Sequence, residues 1–193
     1  MPLEKLENKV NDRLKELEKE DRLKGEELVI TGIERSSEGN APRYRIKGEE
    51  GAFLKMNSNS YLGLHLNEDV IEAEEESSKI FGSGPGAVRF IHGTYQPHVE
   101  LEEKLANFHN KEACVIYSSA YSTMTGILRP LTSDETLILS DELNHNCIIN
   151  GIRMAKPKGK DIYSHLDMDS LENKLQGAVG DYERVIVITD GVF

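Results

Sequence analysis

Tryptophan is absent from the chain, cysteine occurs only twice, and aromatic residues make up just 6% of it. The two cysteines, Cys114 in an apolar run and Cys147 beside a polar cluster, offer no disulfide framework, so a reducing cytoplasmic setting is expected. No apolar run is long enough to span a bilayer. The N-terminus is charged from Glu4 onward, which argues against a signal peptide, so no membrane association is expected. Basic residues are outnumbered 23 to 34, leaving a formal charge of −11, and no basic stripe interleaves with aromatics. Nucleic acid and anionic membranes are therefore not the expected partners. A local anion pocket stays open, because backbone amides bind anions without net positive charge.

What is present fits a soluble globular protein. Hydrophobic residues at 38% and charged residues at 30%, over 193 positions, suffice for one domain with a sizeable core or for part of a larger one. Leu3, Leu6, Val10, Leu14 and Leu17 recur at intervals of three and four, predicting an amphipathic helix over Leu3–Leu23 that packs on the body of the protein or on a partner subunit. From Glu34 to Gly51 turn signals dominate, with Tyr44–Ile46 as a short strand and another beginning at Phe53. A helix is expected over Glu68–Phe81, and the glycine-rich loop Gly82–Gly93 follows. That loop is neither a phosphate loop nor a dinucleotide fingerprint, since it lacks the Gly-Lys-Ser/Thr ending, a preceding strand and a directly following helix.

Beyond Val99–Phe108, read as a helix, the pattern becomes regular. Strands are predicted at Ala113–Tyr117, Thr136–Leu139, Asp161–Ser164 and Val185–Ile188. Helices are predicted at Tyr121–Leu131 and Asn146–Met154, with a further one capped by Asp169. Strands alternating with helices imply right-handed βαβ units and a largely parallel sheet, hence an α/β fold. The chain stops at Asp190–Phe193, just past its last strand and at the edge where such sheets bind ligands, which reads as a truncated or split domain with apolar surface exposed beside Val185–Ile188.

Two clusters carry possible chemistry. Ser118-Ser-Ala-Tyr-Ser122 joins a strand to a helix, where free amides and hydroxyls suit either a phosphate cradle or ordinary capping by Ser118 or Ser119. Asp141-Glu-Leu-Asn-His145 admits three readings. Glu142-x-x-His145 has the spacing of di-metal carboxylate proteins but lacks a second pair, so no metal site is assigned. His145 otherwise serves as a base or aromatic platform at the end of a strand, or as a structural polar residue. His92, His98, His109 and His165 stand singly and read as surface or hydrogen-bonded histidines, although His98 begins a helix directly after the glycine loop.

Six segments occur in order: Asn57-Ser-Asn-Ser-Tyr-Leu-Gly-Leu64, Gly84-Pro-Gly-Ala-Val-Arg-Phe-Ile-His-Gly-Thr-Tyr95, His98-Val-Glu-Leu-Glu102, Ser118-Ser-Ala-Tyr121, Ser140-Asp-Glu-Leu-Asn-His145 and Thr189-Asp-Gly-Val-Phe193. This ordered set resembles the α-oxoamine synthases, pyridoxal-phosphate enzymes of the aspartate-aminotransferase fold (fold type I). The likeness runs from about Leu23 to Phe193, and it is strongest to the glycine C-acetyltransferase and 8-amino-7-oxononanoate synthase branches.

The resemblance implies a mostly parallel sheet with flanking helices. Residues 1–52 would form an N-terminal helix and a small-domain or dimer arm, and residues 53–193 the first, incomplete part of a large cofactor-binding domain. It implies pyridoxal 5'-phosphate as cofactor, an amino acid (glycine) and an acyl-CoA as substrates, and a homodimer. By position, Ser119 and the backbone of Ala120 and Tyr121 would bind the cofactor phosphate. His145 would stack on the pyridine ring and contact substrate, Asn59 would lie near the substrate carboxylate, and the loop Gly84–Gly93 would approach the neighbouring subunit's site. The family's serine, its Asp-Asp-x-His pair and its Schiff-base lysine fall beyond Phe193, and no lysine present sits in a matching motif, so the chain alone is expected to be inactive. The alternatives are another fold-type-I enzyme, such as an aminotransferase, and a non-catalytic dimerisation fragment.

Overall fold

Apolar residues three and four apart wind Pro2–Lys19 into helix α1, which ends four residues short of Leu23 because Asp21 turns left-handed at φ 52°. Its stripe of Leu3, Leu6, Val10 and Leu14 is exposed. The computed structural model describes residues 2–37 and 39–193. The chain divides into two compact units, one ending at Gly84 and the other running from Pro85 to Phe193.

In the first unit, β1 (Ile30–Glu34), β2 (Arg43–Ile46) and β3 (Phe53–Leu54) form an antiparallel meander in that order. The sequence pattern hid β1, because Gly32 interrupts its alternation and the pairing with β2 slips between Ile30 and Gly32. Tyr44 is the buried anchor of this sheet, its hydroxyl 3.2 Å from His65 Nε2 and its ring 5.5 Å beneath Lys55 Nζ. Helix α2 (Glu68–Phe81) starts where expected. Asn67 accepts from the Val70 N–H, and Glu68 and Asp69 sit in the first turn, where negative charge suits the helix dipole.

The second unit begins within the glycine loop, which closes into a tight turn at Arg89–Gly93. A Cβ on Gly93 would stand 2.1 Å from the Ala87 carbonyl oxygen, so only glycine fits there. Helix α3 (Gln96–Phe108) begins with Tyr95 N–H donating to His98 Nδ1 at 2.9 Å, which gives His98 a capping role. Ala113–Tyr117, expected as a buried strand, pairs with no strand among the described residues. Instead it alternates exposed and half-buried, with Val115 and Tyr117 open to solvent. Its continuous apolar run is legible in sequence, but a strand exists only through a ladder partner.

Helix α4 (Ala120–Leu131) carries Pro130 within its last turn. After it come β4 (Thr136–Asp141), α5 (Asn146–Ala155), β5 (Gly159–Tyr163), α6 (Met168–Gly177) and β6 (Arg184–Ile188). Helix α6 starts two residues earlier than the Asp169 reading. Asp167 is the N-cap, accepting from the Ser170 N–H at 2.8 Å, and Asp169 becomes a first-turn acid.

The three strands are parallel, in the order β5-β4-β6. The chain moves outward from β4 to β5 and returns past β4 to β6, so right-handed connections place α5 and α6 on opposite faces. The core divides accordingly. Ile138 packs with Leu128, Cys147, Ile148 and Ile152 on one face, and Leu137 and Leu139 pack with Tyr163 and Ala178 on the other. All six residues of β4 are buried, whereas Val185 and Val187 of β6 remain 36% and 42% exposed. Among the described residues, no helix is long and apolar enough to cross a membrane.

Helices α4 and α5 approach closely at Gly151, where a Cβ would meet the Met124 carbonyl oxygen at 2.9 Å and Leu128 Cδ1 at 3.0 Å. Ile138 is fully buried against this pair. Ile138→Ala is expected to lower the unfolding free energy by about 2–5 kcal/mol, from lost transfer energy plus the cavity left behind. Urea titration followed by circular dichroism measures this loss.

Candidate functional site

The reversal of winding beside β4 leaves an opening outside the carboxyl ends of the strands, where open α/β sheets bind ligands. The polar residues after β4 fill that edge. Asn144 is buried, and its side chain is fully used. Nδ2 donates to Ser140 Oγ at 2.9 Å and to the Ile188 carbonyl at 2.8 Å, and Oδ1 accepts from the Asp190 N–H at 2.8 Å. Asp190 answers by accepting the His145 N–H at 2.7 Å. Strands β4 and β6 are thus laced together at their ends by one amide and one carboxylate.

His145 is the N-cap of α5. Its Nδ1 accepts the Cys147 N–H at 3.1 Å, which leaves the proton of the neutral ring on Nε2, and the residue is exposed. The Glu142-x-x-His145 metal geometry does not form. The two residues lie in the turn before α5 rather than on one helix, and Glu142 Oε1 accepts the His165 N–H instead. No cluster of three or more His, Cys, Asp or Glu suited to a metal occurs among the described residues.

Ser119 caps α4 by accepting the Ser122 N–H at 3.0 Å, so ordinary capping does occur there. This leaves the amides of Ala120 and Tyr121, the first two helical residues, without partners inside the helix. Ser118 and Ser119 hydroxyls flank them, both within 3.5 Å of Ser122 Oγ. With the Ser119 hydroxyl donating to Ser122 Oγ, the two free amides, the Ser118 and Ser122 hydroxyls and the helix dipole make a donor set that fits a phosphate dianion. Tyr121 joins this cradle to α5, its hydroxyl accepting from Asn150 Nδ2 at 3.0 Å. Ser119, Ala120, Tyr121 and His145 therefore share the second unit. Asn59 is exposed in the first, beside Tyr61 and Leu62.

The approach to the cradle is braced from below. Glu102 on α3 accepts from both Arg89 nitrogens, one at 3.0 Å, and from the Ile116 N–H at 3.0 Å, two residues before Ser118. Hydrogen bonding from Arg89, then from the Ile116 amide, holds the Glu102 carboxyl down at about 2. A hollow of about 290 Å³ lies between α5 and β5, lined by Ile138, Ile149, Ile152 and Ile162 with Arg153 and Lys160. It is an apolar packing gap and contains none of the cradle residues or His145.

Sequence reasoning quoted Asn144, Asp190, Asp141 and Glu102 inside motifs without giving them roles. For Asn144, Asp190 and Asp141 the signal is position, as polar residues at or just beyond the end of a strand; Glu102 lies within α3 and carries no such signal.

With this geometry in place, comparison with known proteins defines the class. The profile of the family described as "Aminotransferase class I and II" matches residues 52–193, and the chain belongs to that family. Its relatives put it in the α-oxoamine synthase branch. It is 42% identical over 152 residues to 8-amino-7-oxononanoate synthase 1 of Bacillus velezensis, covering 79% of this chain and 38% of that protein. It is 44% identical over 152 residues to human mitochondrial 2-amino-3-ketobutyrate coenzyme A ligase, covering 79% and 36%. In fold it matches serine palmitoyltransferase of Sphingomonas wittichii with a TM-score of 0.76 at 22% identity, covering 95% of this chain and 44% of that one. The match to 8-amino-7-oxononanoate synthase of Francisella tularensis has a TM-score of 0.54 at 19% identity, covering 68% and 43%. The chain thus spans less than half the length of these relatives. The family uses pyridoxal 5'-phosphate.

Asn144→Asp keeps the acceptor facing Asp190 but turns the donor facing the Ile188 carbonyl into an acceptor, so it is expected to cost roughly 3 kcal/mol in urea unfolding. For Glu102 the folded-state pKa lies below the unfolded value of 4.5. Its stabilisation is present above that value and drains away as pH falls from there towards about 2. Glu102→Gln is expected to flatten the pH dependence of the denaturation midpoint across this window.

Proposed function

We propose that this chain forms part of a pyridoxal-phosphate acyltransferase that condenses glycine with an acyl-CoA. The observation that carries the reading is the pair of uncapped amides at Ala120 and Tyr121, in the same unit as the exposed imidazole of His145 at the carboxyl edge of the sheet. When bound, pyridoxal phosphate supplies an electron sink for the α-carbon of an amino acid. The amides of Ala120 and Tyr121, with Ser119 beside them, hold the cofactor phosphate at the positive end of α4. His145 offers a flat aromatic face to the pyridine ring and an outward Nε2–H to an oxygen of the substrate. The Cys147 amide fixes that tautomer. Asn59, by its motif, takes the substrate carboxylate.

The working assembly is a homodimer, in which the glycine loop meets the partner's site. Exposure of Val88, Phe90 and Ile91 on that loop supports this role, since apolar clusters of this kind mark interaction surfaces. Residues 1–52 would then supply the small domain or dimer arm, and residues 53–193 the first part of the cofactor-binding domain. Because these 193 residues span 36–38% of the curated relatives, we infer that by themselves they do not turn over.

Ala120→Pro tests the reading without breaking the helix. Proline is tolerated at the first helical position, Ser119 is already extended, and one amide donor is removed. The probe is pyridoxine 5'-phosphate, which has no aldehyde to react with surface lysines. Calorimetry is expected to give saturable binding to the unaltered chain, weakened about tenfold in the variant with helicity unchanged. Absence of binding to the unaltered chain overturns the cofactor reading. Steady release of CoA from glycine and acetyl-CoA by the purified chain overturns the inference of inactivity.

A further inference from the structure

The Asp190–Asn144 lacing holds the His145 turn from the side of β6. A second set of contacts holds it from the side of β5, and the mechanism above leaves it unused. Asp141, at the end of β4, is buried with its side chain only 4% exposed. A carboxylate so placed is stable only if hydrogen-bonded or paired. Its Oδ1 accepts the Leu143 N–H at 2.9 Å, and both oxygens lie 3.1 Å from His165 Nδ1. Because a carboxylate can only accept, Nδ1 carries the proton. His165 is also fixed through its backbone, whose N–H donates to Glu142 Oε1 at 2.9 Å, while the Glu142 N–H donates to the Tyr163 carbonyl at 3.1 Å. Its ring packs edge-on against Phe193, with centroids 4.2 Å apart. The loop after β5 is thereby stitched to the turn after β4 at three points, and the turn ends at His145.

We propose that His165 is a positioning residue. By donating Nδ1–H to Asp141 it holds the turn 141–145, and so sets the orientation in which His145 is presented. The consequence for ligand affinity rests on the reading of His145 as a cofactor platform; the consequence for the turn does not. Removing the imidazole leaves a buried carboxylate with one fewer donor. That penalty is relieved by moving the turn towards water, which pulls His145 away from the Cys147 amide.

The side chains of asparagine and glutamine separate this role from others. Asparagine places an N–H near the position of Nδ1, and glutamine places one near the position of Nε2. His165→Asn, His165→Gln and His165→Leu are compared with the unaltered chain by long-range proton–nitrogen spectra of the imidazoles, and by titration with pyridoxine 5'-phosphate and with inorganic phosphate. The unaltered chain and His165→Asn are expected to keep His145 as the Nε2–H tautomer. The Gln and Leu variants are expected to show tautomer averaging at His145 and about tenfold weaker pyridoxine 5'-phosphate binding, with inorganic phosphate, which senses only the α4 amides, bound alike by all four.

The proposal is overturned if His165→Leu keeps the His145 tautomer, or if His165→Asn loses it as the Leu variant does. Parallel loss of inorganic phosphate binding also overturns it, since that marks collapse of the unit rather than release of the turn. Should the unaltered chain bind no pyridoxine 5'-phosphate, the cofactor reading falls, and the His145 spectra alone decide the role of His165.

Discussion

Everything in the second unit depends on the burial of β4 on both faces and along both edges. Six consecutive residues are withdrawn from water, and every backbone group among them that faces a neighbour is satisfied by β5 or β6. A central parallel strand of this kind can end only in a cluster of polar side chains. The last turn of backbone must be hydrogen-bonded somewhere, and no further ladder continues. Ser140, Asp141 and Asn144 answer that requirement while remaining buried. The polar edge of the sheet is therefore first a solution to a bonding problem and second a place to display His145.

That double duty explains the division of labour among the residues there. The buried members, Asn144 and Asp141, have their polar atoms occupied by Ser140, Ile188, Asp190, Leu143 and His165. The exposed member, His145, uses only its backbone N–H and Nδ1 for structure, leaving a ring face and Nε2 available. At α4 the same separation recurs: Ser119 and Ser122 satisfy each other, and the amides of Ala120 and Tyr121 stay uncommitted. In both places, groups left over from structural bonding are the ones offered to a ligand. Capping and ligand binding, alternatives for Ser118–Ser122 in sequence, thus fall to different atoms of one helix terminus.

Legibility in the sequence followed the range of the forces involved. Helix α2 is legible with its limits because Val70, Ile71, Ala73 and Ile80 recur at helical spacing; β4 is legible from its continuous apolar run, which stops two residues short of its end at Asp141. The cap of α6 was misplaced by two residues, since Asp167 and Asp169 have the same chemistry and only the chain entering from β5 decides between them. Strand β1 is missed because its evidence lies in β2, whose partner residues stand nine to sixteen positions away. Ala113–Tyr117 is overread for the converse reason, its apolar run being genuine but its ladder partner absent from the described residues. The ordered motifs identified the α-oxoamine branch, and pointed to His145 and the Ala120–Tyr121 amides, before any packing was known.

By itself the sequence determined the periodicities, the acidic balance, and the order of motifs that assigns the family. These are properties of neighbouring residues and need no third dimension. Tertiary structure alone decided which polar atoms are occupied and which are free. Asn144 reaches Ile188 across 44 positions, Asp190 reaches His145 across 45, and Asp141 reaches His165 across 24. Hydrogen bonds between residues so far apart arise only when strands are brought side by side, about 4.8 Å apart, by burial of their apolar faces. His165, which stands singly in the sequence and reads there as a surface or hydrogen-bonded histidine, is placed by that same packing against a buried carboxylate.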